Sequence, residues 1–187
     1  MLNEIIRYKS PSSPAFLSAP SRNKKGPLCD MHFHEELEFL IINQGSIKLF
    51  TETDEIILSQ GDIVFHKPNE FHAIRSNENT APNLSVITFE CKSRAMKHFE
   101  GKIFPLTSEE RALLSLLFRE GLSTYRMEEK NNPLIPRIEK IENAPFGGSQ
   151  MTKNLLEIFL ISLCRNTDAL AKRSRYQYKV NGVDIPY

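Results

Sequence analysis

Two histidines and one glutamate early in the chain have side chains and a spacing that suit metal or ligand binding. His32 and His34 are two residues apart, and Glu38 follows four residues later. Residues of equal parity share one face of a β-strand, because successive side chains point to opposite faces. Imidazole suits iron, nickel, copper and zinc, and oxygen ligands also admit manganese. The stretch predicts either a metal site that takes a further ligand from another strand, or a polar pocket whose histidines bind ligand hydroxyl groups.

The segment around these residues shows the patterns of short β-strands. Apolar or alternating runs are separated by turn residues such as Gly45, Gly61 and Pro68. The runs cover residues 37–43, 46–51, 55–59, 63–66, 71–75 and 84–90. Short strands at this spacing indicate an all-β sandwich or barrel. Residues 1–27 contain several prolines, so we expect an irregular arm with one or two short strands there.

The second half of the chain has the periodicity of helices. Thr107 and Glu110 form the pattern of a capping box, which predicts a helix from there to about Gly121. Prolines and glycines predict a long loop over 126–148, and a second helix is expected over 149–165. We expect the two helices to pack antiparallel as a hairpin.

The apolar faces of these two helices allow two interpretations. Leu113, Leu117, Leu155, Ile158 and Phe159 recur at helical spacing. In one interpretation they cover the β-structure as part of the core. In the other they form a seam with a second copy of the chain, because an apolar surface needs cover.

Composition restricts the class of protein. The 187 residues are 40% hydrophobic and 25% charged, with a net charge of +1. These values are ordinary for a globular protein and give no electrostatic reason to expect nucleic acid or a membrane as partner. Three widely spaced cysteines without a CxxC pair indicate a reducing compartment. Since the N-terminus lacks the pattern of a signal peptide, we expect a cytoplasmic protein.

Two stretches resemble the signature motifs of the cupin superfamily. The spacing Gly26-x5-His32-x-His34-x3-Glu38-x6-Gly45 resembles the first motif at every specified position. Residues 61–72 resemble the second motif, with His72 in its histidine position.

The second stretch departs from its motif at three positions. Lys67 replaces a proline, Asn69 replaces a glycine and Ser76 replaces an asparagine. Asparagine tolerates the left-handed backbone conformation that a glycine would adopt, so the turn can still form.

The cupin resemblance implies a mainly β (α+β) fold, in which a double-stranded β-helix barrel is followed by the antiparallel helical hairpin. It also implies that His32, His34, Glu38 and His72 hold one divalent transition metal, such as zinc, nickel, iron or manganese. Without a metal, the same four residues would contact a bound effector. Arg75 would join them if its side chain points inward, and would otherwise be a surface charge.

The residues that fill both motifs narrow the resemblance. The run HFHEELE at 32–38 and the run PNEFH at 68–72 resemble the sensor cupins of AraC-type transcription regulators. The two late helices resemble the hairpin that follows the barrel in that family. The resemblance implies a small-molecule effector, such as a sugar or related metabolite, and a homodimer formed through the hairpin. DNA binding in that family belongs to a C-terminal domain that nothing in this sequence matches.

The expected organisation follows from these resemblances. We expect an arm at 1–27, a cupin barrel at 28–106, a helical dimerisation region at 107–172 and a basic linker toward the missing DNA-binding domain at 173–187. The arm is a candidate lid over the pocket. The alternative function is a small metal-dependent cupin enzyme, a dioxygenase or a sugar isomerase, because the ligand set is intact. The altered second motif and the appended hairpin favour a regulator, so we expect no enzymatic activity.

Overall fold

A computed structural model describes residues 15–20, 27–33, 35–76, 82–128, 137–170, 178–180 and 183–185. The strands of the barrel are β1 (Ala15–Pro20), β2 (Pro27–His32), β3 (Leu37–Gln44), β4 (Ser46–Thr51), β5 (Glu55–Ser59), β6 (Asp62–His66), β7 (His72–Ser76), β8 (Asn83–Phe89) and β9 (Ile103–Pro105). They form a five-stranded sheet of order β1-β8-β3-β6-β9 and a four-stranded sheet of order β2-β7-β4-β5. All pairs within the two sheets are antiparallel.

Alternation along the strands of the five-stranded sheet separates two apolar clusters. On β3, Leu40 and Ile42 belong to a cluster that also contains residues of the four-stranded sheet, so this cluster fills the space between the two sheets. Phe39 and Ile41 belong to a second cluster, which contains residues of the helices. The five-stranded sheet is therefore apolar on both faces, which is why the run at 37–42 has no polar residue except Glu38.

Two α-helices of the described residues cover the outer face of the five-stranded sheet. These are α1 (Ser108–Thr124) and α2 (Gly148–Leu170). The capping box predicted at the start of α1 is present: Glu110 N donates to Thr107 Oγ1 at 3.2 Å, and Thr107 N donates to Glu110 Oε2 at 2.8 Å. Asn166 Nδ2 donates to Glu110 Oε1 at 2.9 Å, which joins the start of α1 to the end of α2. The helices therefore run antiparallel, as predicted.

The contact between the other two helix ends depends on a glycine. A Cβ atom at Gly148, the first residue of α2, would overlap the Thr124 side chain at the end of α1. Glycine at this position allows the two chain segments to approach closely.

The structure differs from the sequence predictions between and after the helices. The predicted loop at 126–148 contains two strands, β10 (Tyr125–Glu128) and β11 (Arg137–Lys140), which pair antiparallel. Four-residue strands give too little alternation to be distinguished from a loop. α2 continues five residues beyond the predicted end, and β12 (Tyr178–Val180) and β13 (Val183–Ile185) form a short ladder within the segment predicted as a linker.

Residues 1–14 and 21–26 of the predicted N-terminal arm lie outside the described residues. Within the part of the chain that the structure describes, no helix has both the length and the apolar character needed to cross a membrane.

The packing of α2 on the barrel can be tested at Phe159. This side chain is fully buried, and its ring centroid lies 5.6 Å from that of Phe39 on β3. We expect Phe159→Ala to lower the free energy of unfolding by about 3–5 kcal/mol, because it leaves a cavity between helix and sheet. Phe146→Ala is the matched control, since Phe146 is fully exposed, and should change it by less than about 0.5 kcal/mol. Equal urea midpoints for both variants would contradict this packing.

Candidate functional site

One row of paired residues across the five-stranded sheet includes Glu38, whose carboxylate lies inside the barrel. Glu38 on β3 pairs with His66 on β6, and on its other side it pairs with Thr88 on β8. Glu38 has the parity of Leu40 and Ile42, so its side chain lies on the sheet face that points between the two sheets. His72 begins β7 of the facing four-stranded sheet. Register and alternation thus direct residues from three strands to one point.

Glu38, His66 and His72 form a buried cluster, called the ligand cluster below. Their carboxylate oxygen and imidazole nitrogen atoms all lie within 4.8 Å of one another. His72 Nε2 lies 3.4 Å from Glu38 Oε1. The two imidazole rings are stacked, with centroids 4.0 Å apart and planes inclined by 9°. All three residues are at most 6% exposed, so solvent does not compete strongly for their polar atoms.

Glu70 contacts both histidines of the ligand cluster from the turn between β6 and β7. Its carboxylate Oε2 accepts a hydrogen bond from the Lys67 amide at 3.1 Å and lies 3.4 Å from His66 Nδ1. Its main-chain carbonyl lies 3.0 Å from His72 Nδ1. Asn69 within this turn has φ of 62°. The left-handed conformation that the sequence predicted for Asn69 is therefore present.

Burial and hydrogen bonding set the protonation states around the cluster. Burial lowers the pKa of His66, and the neighbouring His72 lowers it further, against the opposing effects of Glu70 and Glu38. Burial on its own would raise the pKa of Glu70, but hydrogen bonds from His66 and from the Lys67 amide outweigh it, so that this pKa is lowered. The lowered pKa favours the neutral form of His66, which is the form in which an imidazole binds a metal.

The ligand cluster fits a divalent transition metal. Two imidazoles and one carboxylate on one side of a site form the ligand set found in non-haem iron proteins, with further coordination positions open. His66 Nε2 is buried and has no hydrogen-bond partner among the described residues. A buried polar atom of this kind costs free energy unless a ligand satisfies it. The same groups can alternatively bind hydroxyl or carboxyl groups of a small molecule.

The structure brings together two of the five residues predicted from the sequence, Glu38 and His72. The backbone of His32 pairs with His72 at the end of β2, but the position of the His32 side chain is not described. His34 lies outside the described residues. Arg75 is exposed, and its guanidinium carbon lies 5.0 Å from the centroid of the Phe50 ring. Of the two orientations considered for Arg75, the structure has the outward one.

His66 is the member of the ligand cluster that the sequence prediction missed. It stands within the stretch that resembles the second cupin motif, at a position that the motif leaves unspecified. His66 lies two residues after Val64, an interior residue, so the alternation along the strand predicts that the His66 side chain also points into the barrel. Its proximity to Glu38 depends on the pairing of β3 with β6, which local patterns do not specify.

A groove of about 680 Å³ lies at a different place, between α1 and the outer face of the five-stranded sheet. Polar side chains of Asn43, Ser85 and Arg111 and apolar side chains of Phe118 and Leu122 contribute to its walls. Arg111 already donates a hydrogen bond to the Leu106 carbonyl, and Asn43 donates to Ser85. The groove has room for a small molecule, whereas the ligand cluster has the chemistry, so we assign the site to the ligand cluster.

Comparison with known proteins agrees with this fold. Residues 23–88 match the family model described as Cupin domain. No curated protein matches the chain. The solved structure of an apo ToxT variant from Vibrio cholerae aligns with 96% of this chain and 62% of its own, at 11% identity and a TM-score of 0.51.

Two further structures match smaller parts. A cupin protein from Bacteroides fragilis aligns with 43% of this chain and 66% of its own, at 16% identity and a TM-score of 0.35. The hydroxypropylphosphonic acid epoxidase from S. wedmorenis aligns with 41% of each chain, at 18% identity and a TM-score of 0.34. This chain therefore spans less than two thirds of each of the three proteins. Together with the two sheets, the family match shows a cupin barrel, here followed by a helical hairpin.

The lowered pKa of His66 predicts how stability depends on pH. Between its folded and its unfolded pKa, the unfolded state binds more protons, so the free energy of unfolding rises with pH. Stability is therefore complete above about 6.5, the unfolded value, and is lost as pH falls below it. Glu70 acts in the same direction, but only near and below its own unfolded value of 4.5. Urea unfolding between pH 5.5 and 7.5, with a chelator present, measures the effect.

The variant His66→Gln separates the histidine from other titrating groups. We expect it to reduce the slope of stability against pH over this range, with an upper limit of about 1.4 kcal/mol per pH unit for one group. A slope that is unchanged in His66→Gln would show that His66 does not titrate differently in the folded protein.

Proposed function

We propose that this chain is the effector-binding and dimerisation part of a cytoplasmic AraC-type transcription regulator. In this proposal the barrel binds a small molecule, a sugar or related metabolite, and the hairpin joins two copies of the chain. DNA binding belongs to a domain outside these residues. The proposal rests on the motif resemblance and on one structural observation, the shared strands described next.

The strands that carry the ligand cluster also carry the residues that contact the helices. Glu38 is followed on β3 by Phe39, whose ring lies 5.6 Å from that of Phe159 on α2. Phe65 precedes His66 on β6, and its ring stacks on that of Phe99 with the ring centroids 4.7 Å apart. A ligand that shifts β3 or β6 therefore acts directly on the packing beneath the hairpin. A sensor needs this coupling between two sites, whereas an enzyme does not.

The fold likeness to ToxT supports the proposal in one respect. The alignment covers 96% of this chain, so it includes both the barrel and the helices. It covers 62% of the ToxT chain. At 11% identity this likeness concerns the fold alone. The role in regulation is carried by the sequence motifs and by the shared strands.

The apolar helix residues that the sequence analysis considered for a dimer seam are not all exposed in the structure. Leu117 and Phe159 are fully buried and belong to the core, and Leu113 and Leu155 are partly buried against it. Ile158 is 50% exposed and Met151, seven residues earlier on the same helix face, is 51% exposed. We assign the dimer seam to this second face of α2.

The N-terminal arm is proposed as the lid, although residues 1–14 lie outside the described residues. β1 begins at Ala15, which pairs with Thr88, and Thr88 pairs with Glu38. The chain thus enters the sheet in the row that contains Glu38 and His66. Ala15 is two strands from Glu38 in this row, and this position supports the proposal that the arm covers the ligand cluster.

A metal-dependent cupin enzyme is the second candidate, and the ligand cluster itself favours it. A substrate and an effector must both reach Glu38, His66 and His72, which are buried. An enzyme then requires that the bound substrate be converted. A regulator instead requires that a bound ligand change the association of two chains. The two candidates are distinguished by measuring that linkage.

The dimer seam is tested by a charge on the exposed face of α2. Ile158→Glu should shift the chain from dimer to monomer, because a buried carboxylate without a partner costs several kcal/mol at an interface. Ile57→Glu is the matched control, since Ile57 is 54% exposed and lies on β5 of the four-stranded sheet, which the helices do not cover. Light scattering across a concentration series measures the change. A monomeric wild-type chain, or a dimer that withstands Ile158→Glu, would contradict the assigned seam.

The effector site is tested by thermal shift with a panel of sugars and sugar acids. A ligand that binds only the folded state raises the midpoint by mass action. We expect Glu38→Gln to remove this shift and Leu122→Arg to leave it unchanged, because Leu122 lines the groove beside α1 instead. The opposite result would move the effector to that groove.

The same ligand then decides between regulator and enzyme. As a regulator, the chain should show a dimer dissociation constant that changes with ligand, by about 5- to 150-fold for a typical coupling of 1–3 kcal/mol. A ligand that is consumed by the metal-loaded chain and leaves the dimer equilibrium unchanged would favour the enzyme.

A further inference from the structure

We propose that Glu70 is the positioning residue of a transition-metal site whose ligands are Glu38, His66 and His72. The inference concerns the ligand cluster itself, so it holds for a sensor and for an enzyme alike. It assigns a ligand role to His66, which neither motif specifies, and a separate role to Glu70, which touches the histidines at their far nitrogen atoms.

The main-chain carbonyl of Glu70 fixes the tautomer of His72. A carbonyl oxygen only accepts hydrogen bonds, so the contact of 3.0 Å requires the proton of a neutral His72 to reside on Nδ1. The lone pair then resides on Nε2, which faces Glu38 Oε1 at 3.4 Å.

The carboxylate of the same residue acts on His66. An ionised carboxylate also only accepts, so the long contact of 3.4 Å favours the Nδ1–H tautomer and leaves the Nε2 lone pair for a ligand. Glu70 Oε2 is itself held by the Lys67 amide at 3.1 Å. One residue therefore presets both imidazoles with the same nitrogen atom available.

The geometry around Nε2 fits a metal better than an ion pair. A charged N–H donor lies about 2.7–2.9 Å from a carboxylate oxygen, whereas His72 Nε2 and Glu38 Oε1 are 3.4 Å apart. Two ligand atoms that are each about 2.1 Å from a metal in a tetrahedral arrangement lie about 3.4 Å apart.

A role of this kind is known for residues that hydrogen-bond to the outer nitrogen of ligand histidines. They orient the ring and raise its basicity, and their removal weakens metal binding by about 10- to 100-fold. Glu70 is unusual in serving two rings, one through its side chain and one through its main chain. Only the side-chain contact is removed by substitution, so the two histidines should respond differently.

The test is the binding of Co²⁺ to the metal-free chain, followed by calorimetry at constant pH. We expect Glu70→Ala to weaken binding by about 10- to 100-fold. Glu70→Gln keeps an oxygen acceptor at the same position, and it should restore most of that loss. Glu52→Ala is the matched control, because Glu52 is exposed in the turn between β4 and β5 and should bind like the wild type.

A second measurement reports the tautomers directly. Long-range ¹⁵N–¹H NMR of the metal-free chain should show Nδ1–H for both His66 and His72. In Glu70→Ala, His66 should lose this preference while His72 keeps it. A merely structural role of Glu70 would move both histidines together, or neither.

Three results would overturn the proposal. The first is a wild-type chain that does not bind Co²⁺, and the second is unchanged affinity in His66→Ala. The third is unchanged affinity in Glu70→Ala, or in Glu70→Gln a loss as large as that of Glu70→Ala. If Glu70→Ala does not fold, the decisive result is the His66 tautomer in Glu70→Gln, which should remain Nδ1–H. Neither readout involves an effector or a dimer, so failure here leaves the regulator proposal separately testable.

Discussion

A carboxylate buried inside an otherwise aliphatic barrel is the constraint on which the rest of this structure depends. Glu38 shares the inner face of β3 with Leu40 and Ile42, and an isolated charge in such a place would cost several kcal/mol. His66, its neighbour in register, and His72, from the facing sheet, supply the compensating polar groups. A slip of β3 by one residue would turn Glu38 outward and Phe39 inward. The need to satisfy Glu38 and the need to bury Phe39 therefore specify the same register.

That register gives the five-stranded sheet two functions. Its inner face holds the polar cluster, and its outer face is packed by α1, α2 and the 3₁₀ helix at Arg94–His98. Residues of opposite parity on the same strand serve the two faces, so the distance between ligand and hairpin is the thickness of one sheet. Since packed cores rearrange between discrete states and deform little, a change at Glu38 is expected to reach Phe159. The proposed regulation therefore requires coupling only across the thickness of this one sheet.

Much of this fold could be predicted from the sequence, because its local patterns agree with one another. The bounds of β4 and β5 and the capping box at Thr107 match the prediction, and Asn69 adopts the left-handed conformation expected of it. The motifs also gave Glu38 and His72. Local sequence patterns do not specify which strands pair with each other. His66 joins the cluster through the antiparallel partnership of β3 and β6, and Glu70 acts through a main-chain carbonyl, which every residue type carries.

Anomalous diffraction from crystals soaked with Co²⁺ tests the central claim most directly. The account predicts one strong peak between the two sheets, about 2.1 Å from Nε2 of His66 and of His72, with a carboxylate oxygen of Glu38 as a third ligand. Such a map would also show whether His32 or His34 completes the coordination. A peak bound to other residues, or clear density that places the Glu38 and His66 side chains apart, would contradict the account.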